Sequence, residues 1–188
     1  MVEPVVVMLF PVLFLVILFG GAALLRRRKI DMDGEPPIDR RIFYLSKYAI
    51  VGLWAAMVLQ SWSWGVNLSF VSVPGWLKWI ALFLWVGGFT LLFIGRLGMA
   101  DSFRIGSPKE STRLKVDGLF RFSRNPMYVG VYATILASVL YTLNPIVLLV
   151  GAFVVAVHHR IVLAEEQYLR KAFGAEYANY CARVRRYL

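Results

Sequence analysis

Two stretches of this 188-residue chain carry residue types able to do chemistry. The first is Asp117–Gly130, DGLFRFSRNPMYVG, where Gly, Arg, Asn, Pro and two kinds of aromatic crowd between apolar segments. Pro126 suits the first turn of a helix, where its missing N–H costs nothing. Asn125, immediately before it, is a strong N-cap type. A helix start with free N–H groups, flanked by Arg121, Arg124 and Gly118, is equipped to hold an anionic group. Tyr128, with Phe120 or Phe122, would flank a flat ring. Read more plainly, the same residues are a capped helix start whose arginines snorkel to headgroups. The second stretch is Glu165-Glu166, at the far end of the next apolar hairpin. Alone, two adjacent acids at a membrane edge are simply solvated. Here a short hairpin returns the chain to the side it left, so the pair is expected beside Arg124-Asn125. Carboxylates next to a basic helix start make a site of mixed charge. Such a site suits a zwitterionic ligand carrying a carboxylate, an amine and a further positive charge.

His158 and His159 each precede a glutamate by seven residues, so His158 shares a helix face with Glu165 and His159 with Glu166. A protein metal site usually takes at least three ligands, and the sequence holds no second His/Glu group. Polar packing at a helix end is therefore expected, and no metal. No Walker A loop, dinucleotide fingerprint, nucleophile elbow or zinc-protease motif is present. The one cysteine, Cys181, has no partner for an internal disulfide.

The elements that must position these groups are read from hydropathy. The chain is 59% hydrophobic and 17% charged, which excludes an ordinary soluble domain. An all-α membrane protein is expected, because helices satisfy their own backbone groups in lipid. Five spans are read: Val5–Leu25, Phe43–Trp62, Trp76–Leu97, the rather short Pro126–Thr142, and a fifth from Pro145 through Leu163 to about Ala172. Phe173-Gly174 stops the fifth, with Gly in its usual place after a helix end. Ala175–Leu188 reads as a short basic helix in the membrane interface, with Tyr177, Tyr180, Val184 and Tyr187 turned to lipid and its arginines at headgroups. Trp62, Trp64, Trp76 and Trp79 form an aromatic belt around the second turn. The chain divides into three N-terminal spans, residues 1–97, and a C-terminal module, residues 98–188, that carries both polar groups.

The net charge of +10 is a matter of topology rather than of nucleic acid, for which no binding module appears. Of the 21 basic residues only Lys78 falls on the opposite side of the membrane from the rest. The positive-inside rule then places the N-terminus outside, the C-terminus inside, and both polar clusters in the cytoplasm. Met1-Val2-Glu3-Pro4 lacks the positive region of a cleavable signal peptide. Small residues mark helix packing: Ala81, Gly88 and Gly95 on the third span, Gly130, Thr134, Ala137 and Ser138 on the fourth, Ala152 and Ala156 on the fifth. Nothing in the sequence specifies an oligomer.

Gly118-Leu-Phe-Arg-Phe-Ser-Arg-Asn-Pro-Met-Tyr-Val-Gly130 resembles the G-P-[YF]-R-x-x-R-[HN]-P-x-Y-x-G signature of integral-membrane methyltransferases. These are the isoprenylcysteine carboxyl methyltransferases and their phospholipid methyltransferase relatives. Glu165-Glu166-x-x-Leu169-x-x-x-Phe173-Gly174-x-x-Tyr177-x-x-Tyr180 resembles their second signature. The resemblance covers about the last 90 residues. It implies S-adenosylmethionine as cosubstrate, entering from the cytosol, and a lipophilic acceptor entering from the bilayer. By position, Gly118, Arg124, Asn125, Pro126 and Tyr128 would border the donor, with Glu165 and Glu166 at its amino-acid end or sulfonium. Arg104, in the covering loop, would pair with an anionic acceptor headgroup, and Glu166 with Arg104 would carry the catalytic role. Asn125 stands where the family usually has His, and Leu119 where it has Pro. The Asn form resembles bacterial members. A sterol-reductase-like NADPH enzyme and a non-enzymatic helical membrane protein are the alternatives.

Overall fold

The computed structural model describes residues 2–27, 36–62, 67–99 and 114–188. Five α-helices hold most of them: α1 Val2–Arg27, α2 Arg40–Trp62, α3 Gly75–Met99, α4 Pro126–Thr142 and α5 Pro145–Arg183. A 3-10 turn, Gly118–Arg121, precedes α4. Four of the helices are long and apolar enough to cross a membrane. The short one is α4, with 17 residues. At 1.5 Å per residue it spans about 25 Å, against about 30 Å of bilayer hydrocarbon.

Sequence chemistry accounts for the helix ends. Asp39 opens α2, its Oδ1 accepting the N–H groups of Arg41 at 3.0 Å and Ile42 at 3.1 Å. Leu143 closes α4 in the left-handed region, its N–H donating to the Val139 carbonyl at 2.8 Å. Asn144 then caps α5, its Oδ1 accepting from Ile146 at 2.8 Å and Val147 at 3.3 Å, while its Nδ2 donates to the Leu68 carbonyl. The α4–α5 connection is thus two residues long and antiparallel, which brings the start of α4 beside the later part of α5.

Glycine lets α3 and α4 approach to backbone contact. A Cβ on Gly88 would lie 2.7 Å from the Gly130 carbonyl oxygen, and one on Gly130 would lie 2.7 Å from that of Gly88. Ala81, Gly95, Thr134, Ala137 and Ser138 are buried along the same helices, as their spacing predicts. On α5 the prediction misses by one position. Gly151 packs there against Ile135, whereas Ala152 and Ala156 are exposed. They sit on the rim of a groove that α4 does not fill.

Phe14, Trp54, Trp85, Phe89 and Leu92 fill the centre of the bundle. The Trp54 and Phe89 ring centroids are 4.8 Å apart and those of Trp85 and Phe89 4.9 Å. Both indoles also find acceptors, as buried Trp should. Trp54 Nε1 donates to Thr134 Oγ1 at 3.0 Å. Trp85 Nε1 donates to the Val7 carbonyl at 3.1 Å. Pro11 lies four residues after Val7 in α1 and has no N–H to give it. Trp85 supplies the missing donor.

The last stretch departs from expectation. At Gly174 the backbone leaves helical geometry, with φ 47° and ψ −118°, so α5 breaks where Phe173-Gly174 predicts. The helix resumes but ends at Arg183, and Val184 is extended. Tyr177 and Tyr180, expected to face lipid, are 1% and 4% exposed and face the protein. The physical reason is a stranded acceptor: the Phe120 carbonyl of the 3-10 turn takes the Tyr180 hydroxyl at 2.6 Å. The terminal segment therefore folds onto residues 118–125 instead of lying free in an interface.

Candidate functional site

Glu166 is the centre of the polar cluster that results. It projects from α5 toward the start of α4 and is 4% exposed. An isolated carboxylate buried to that degree would be costly. Arg124 answers it from the residues before α4, with Nη2 at 2.8 Å and Nε at 3.3 Å from Oε1. Arg186, beyond the end of α5, answers it from the other side, with Nη2 at 2.9 Å from Oε2 and Nε at 3.1 Å from Oε1. The approach of the glutamates to the start of α4, inferred from the hairpin, is present in the fold as the Arg124–Glu166 pair; Asn125 bonds to neither glutamate.

The C-terminal strap locks this arrangement. Arg124 Nη1 donates to the Val184 carbonyl at 2.8 Å and to that of Cys181 at 3.4 Å. The Arg124 backbone N–H donates to the Arg185 carbonyl at 2.9 Å. Asn125 Nδ2 donates to the Arg186 carbonyl at 3.1 Å. Asn125 occupies the N-cap position of α4 but makes no side-chain capping bond, so the capping role expected of it is not what it does. Its amide is drawn off by the strap, and Pro126 at the first helical position needs no donor in return.

One carboxylate between two guanidinium groups leaves the cluster net positive. Burial works to lower the Arg124 pKa, but the Glu166 hydrogen bond and charge outweigh it and raise it. The hydrogen bond to Glu166 is also the main influence raising Arg186. Both arginines are held firmly charged. Such a site has the sign to receive a further carboxylate.

Glu165 and Glu166, adjacent in sequence, point to different groups. Glu165 accepts the Tyr128 hydroxyl at 3.0 Å. The Tyr128 ring lies 5.7 Å from that of His158, and His158 Nε2 is 3.3 Å from Lys47 Nζ of α2. His159 turns elsewhere, its Nδ1 2.8 Å from the Tyr187 hydroxyl. The two histidines therefore serve different faces of α5. Gly118 stands exposed at the start of the 3-10 turn with φ 59°, a backbone conformation that favours glycine. Phe122 is exposed and Phe120 half-buried. Pro126 is buried at the first turn of α4. Arg104 lies outside the described residues.

Beside the cluster runs the groove rimmed by Ala152 and Ala156, a space of about 510 Å³ between α4 and α5 with Ile135, Val139 and Gly151 at its floor. Its lining is apolar until Tyr132 and His159, which meet Tyr187 of the strap. An apolar groove thus leads along the hairpin to the strap that carries Arg186.

Sequence reasoning missed Arg186 and Lys47. Both were absorbed into the positive charge of one membrane face. The one available signal for Arg186 was Gly174, whose break turns the chain back toward the site.

A family model described as PEMT, phospholipid methyltransferase, matches residues 76–176, more than half of the chain. The chain belongs to this membrane methyltransferase family, related to the isoprenylcysteine carboxyl methyltransferases. The matched region begins in the first turn of α3 and ends two residues past Gly174, and so contains the first motif, the hairpin and the second motif as far as Gly174. No curated protein matches the chain.

Proposed function

We propose that this phospholipid methyltransferase family member transfers a methyl group from S-adenosylmethionine to a lipophilic acceptor at the cytoplasmic face of the membrane. The donor-binding module is residues 98–188, with the first three helices as its scaffold. The observation that carries the reading is the divided glutamate pair. Arg124 and Arg186 form a net positive cluster around Glu166, and Glu165 stands on the adjoining face with Tyr128. A donor bearing a carboxylate, an ammonium and a sulfonium needs both signs of charge in one small site, so the residues present fit it.

The roles follow from the chemistry of each side chain. Arg124, its fork spent on Glu166 and on the Val184 and Cys181 carbonyls, contributes positive charge, and Arg186 offers the rest of its guanidinium to a carboxylate. Glu165 offers the negative charge that an ammonium or sulfonium requires, and Tyr128 orients it. Gly118 supplies the positive φ of 59° that starts the 3-10 turn, with Phe120 close by to stack on a flat ring. When bound, the donor supplies a methyl group already activated on sulfur. The chain's own contribution is then proximity and orientation and the exclusion of water. The α4–α5 groove, apolar and ending at His159, supports a lipophilic acceptor that arrives from the bilayer. The methylated atom is an oxygen, nitrogen or sulfur with a lone pair aligned to that methyl group.

Donor binding is the test. Purified protein in detergent is expected to bind S-adenosylmethionine or its demethylated product. Arg124→Ala and Glu166→Ala are each expected to weaken binding at least tenfold, about 1.4 kcal/mol. Because these two side chains are buried, Glu165→Gln, which keeps size and the Tyr128 contact, is measured beside them. Undetectable donor binding by a folded wild-type sample rules the reading out.

A further inference from the structure

We infer that Lys47, held against His158 where α2 meets α5, is a binding subsite for the anionic group, carboxylate or phosphate, of an amphiphile in the bilayer. Lys47 belongs to α2, outside the family-matched region. The subsite rests on the methyltransferase reading only for what the bound amphiphile is used for, not for the binding itself.

The argument starts with the His158 tautomer. Its Nδ1 is 2.9 Å from the Val154 carbonyl oxygen, and a carbonyl only accepts, so Nδ1 carries the proton. Nε2 is then a bare acceptor, and the partner that donates to it at 3.3 Å is the Lys47 ammonium. His158 is 1% exposed and spends both nitrogens in this way. It is a neutral support for Lys47, not a counter-ion. The other near neighbour of the Lys47 ammonium is the Phe43 ring, 4.9 Å from Nζ, which is neutral too. Among the described residues Lys47 forms no ion pair. Glu165 of α5 is bonded to Tyr128.

A lysine on a helix long and apolar enough to cross the membrane costs energy unless paired, and such residues commonly mark a functional site. Lys47 Nζ has three donors, and one is spent on His158. The surroundings direct the rest. Phe43, Val157 and Ile161 wall the position with apolar groups, so an anion bound there would be shielded from water and its attraction strengthened. Access is from the bilayer side: Tyr44 and Val51, one helical turn before and after Lys47 on α2, are 37% and 42% exposed, and Lys47 itself is only half-buried. An amphiphile lying against α2 would bring its anionic end to Lys47, while the Glu165 carboxylate, one helix away and bonded to Tyr128, stays with the donor. Lys47 is thus a specificity-determining residue, and it touches neither Arg124 nor Glu166.

The test measures four probes on the full chain in dodecyl maltoside by titration calorimetry: oleate, monooleyl phosphate, oleyl alcohol and inorganic phosphate. Oleate and monooleyl phosphate are expected to bind at least tenfold more tightly than oleyl alcohol. Lys47→Met, or Lys47→Gln if the Met variant does not fold, is expected to abolish that preference, and Lys47→Arg to keep it. Equal binding of the charged and uncharged chains by the wild type overturns the inference without any variant. A preference that survives Lys47→Met overturns it as well. Inorganic phosphate binding as tightly as monooleyl phosphate overturns the bilayer source. S-adenosylmethionine binding is read on the same samples. Its absence beside an intact anion preference overturns the methyltransferase reading and leaves the Lys47 subsite standing, and the reverse pattern overturns only the subsite.

Discussion

Asn125 and Asn144 occupy the same local sequence, an asparagine before a proline that opens a helix, and they do different things. Asn144 caps α5 with two backbone bonds. Asn125 gives its amide to the Arg186 carbonyl instead. This leads to an opposite expectation for one substitution. At a cap, Asp is as good as Asn, and Asn125→Asp would be nearly neutral. At a position that must donate to a carbonyl, Asp sets an acceptor against an acceptor, and the expected loss is about 1–3 kcal/mol. Denaturation in mixed micelles, followed by circular dichroism, measures it. An unchanged midpoint would return Asn125 to the capping role. The glutamate pair, Arg124 and Tyr128 were legible because their partners lie on the next helix of a short hairpin. Arg186 was not, because nothing in a run of terminal arginines says which one turns inward. Its place depends on Glu166 being buried with room for a second cation.

At the scale of elements, two devices stand out, one packing and one a break. Pro11 in α1 leaves the Val7 carbonyl without its helical donor, and Trp85 of α3 provides one. Trp85→Phe is therefore expected to cost about 1 kcal/mol in hydrogen bonding, beyond any packing change. The cost falls when Pro11→Ala restores the backbone N–H. A double-mutant cycle in an SDS unfolding titration gives the coupling directly, and additivity of the two substitutions would contradict the account. The break is Gly174, at φ 47° and ψ −118°. Ala there is strained by about 1–3 kcal/mol, and α5 gains by running straight. Gly174→Ala is therefore expected to pull residues 175–188 off the 3-10 turn, exposing Tyr177 and Tyr180 and weakening donor binding. Ultraviolet difference spectra of the tyrosines check the first consequence and calorimetry the second. The break was readable from Phe173-Gly174. The direction of the turn after it was not, because that is decided by the Phe120 carbonyl in a different part of the chain.

Over the whole molecule the polar groups gather at the two ends of the bundle. At one end lie the start of α2, the start of α4 and the later part of α5, with Lys47, Arg124, Glu165, Glu166 and Arg186. At the other, Tyr141 of α4 donates to Glu3 of α1, and Lys78 lies over the Tyr141 ring at 5.7 Å. Glu3 and Lys78 share an end, as the two crossings between them, α1 and α2, require, and Tyr141 joins them there because α4 runs back to that end. The expected orientation puts that end outside, because a charged, soluble donor made in the cytosol must reach the end that holds Arg124 and Glu166, and because most of the described basic residues sit there. The orientation is measurable with single cysteines in a Cys181→Ser background. Ser72 and Glu176 are both exposed and lie at opposite ends. In intact cells a membrane-impermeant maleimide is expected to label Ser72→Cys and to spare Glu176→Cys until the membrane is permeabilised. The reverse pattern would place the arginine cluster outside, out of reach of a cytosolic donor, and would remove the topological support for methyl transfer at this site. Labelling of both positions in intact cells would mean that α4 does not separate the two ends, in which case about 25 Å of helix is too short to cross.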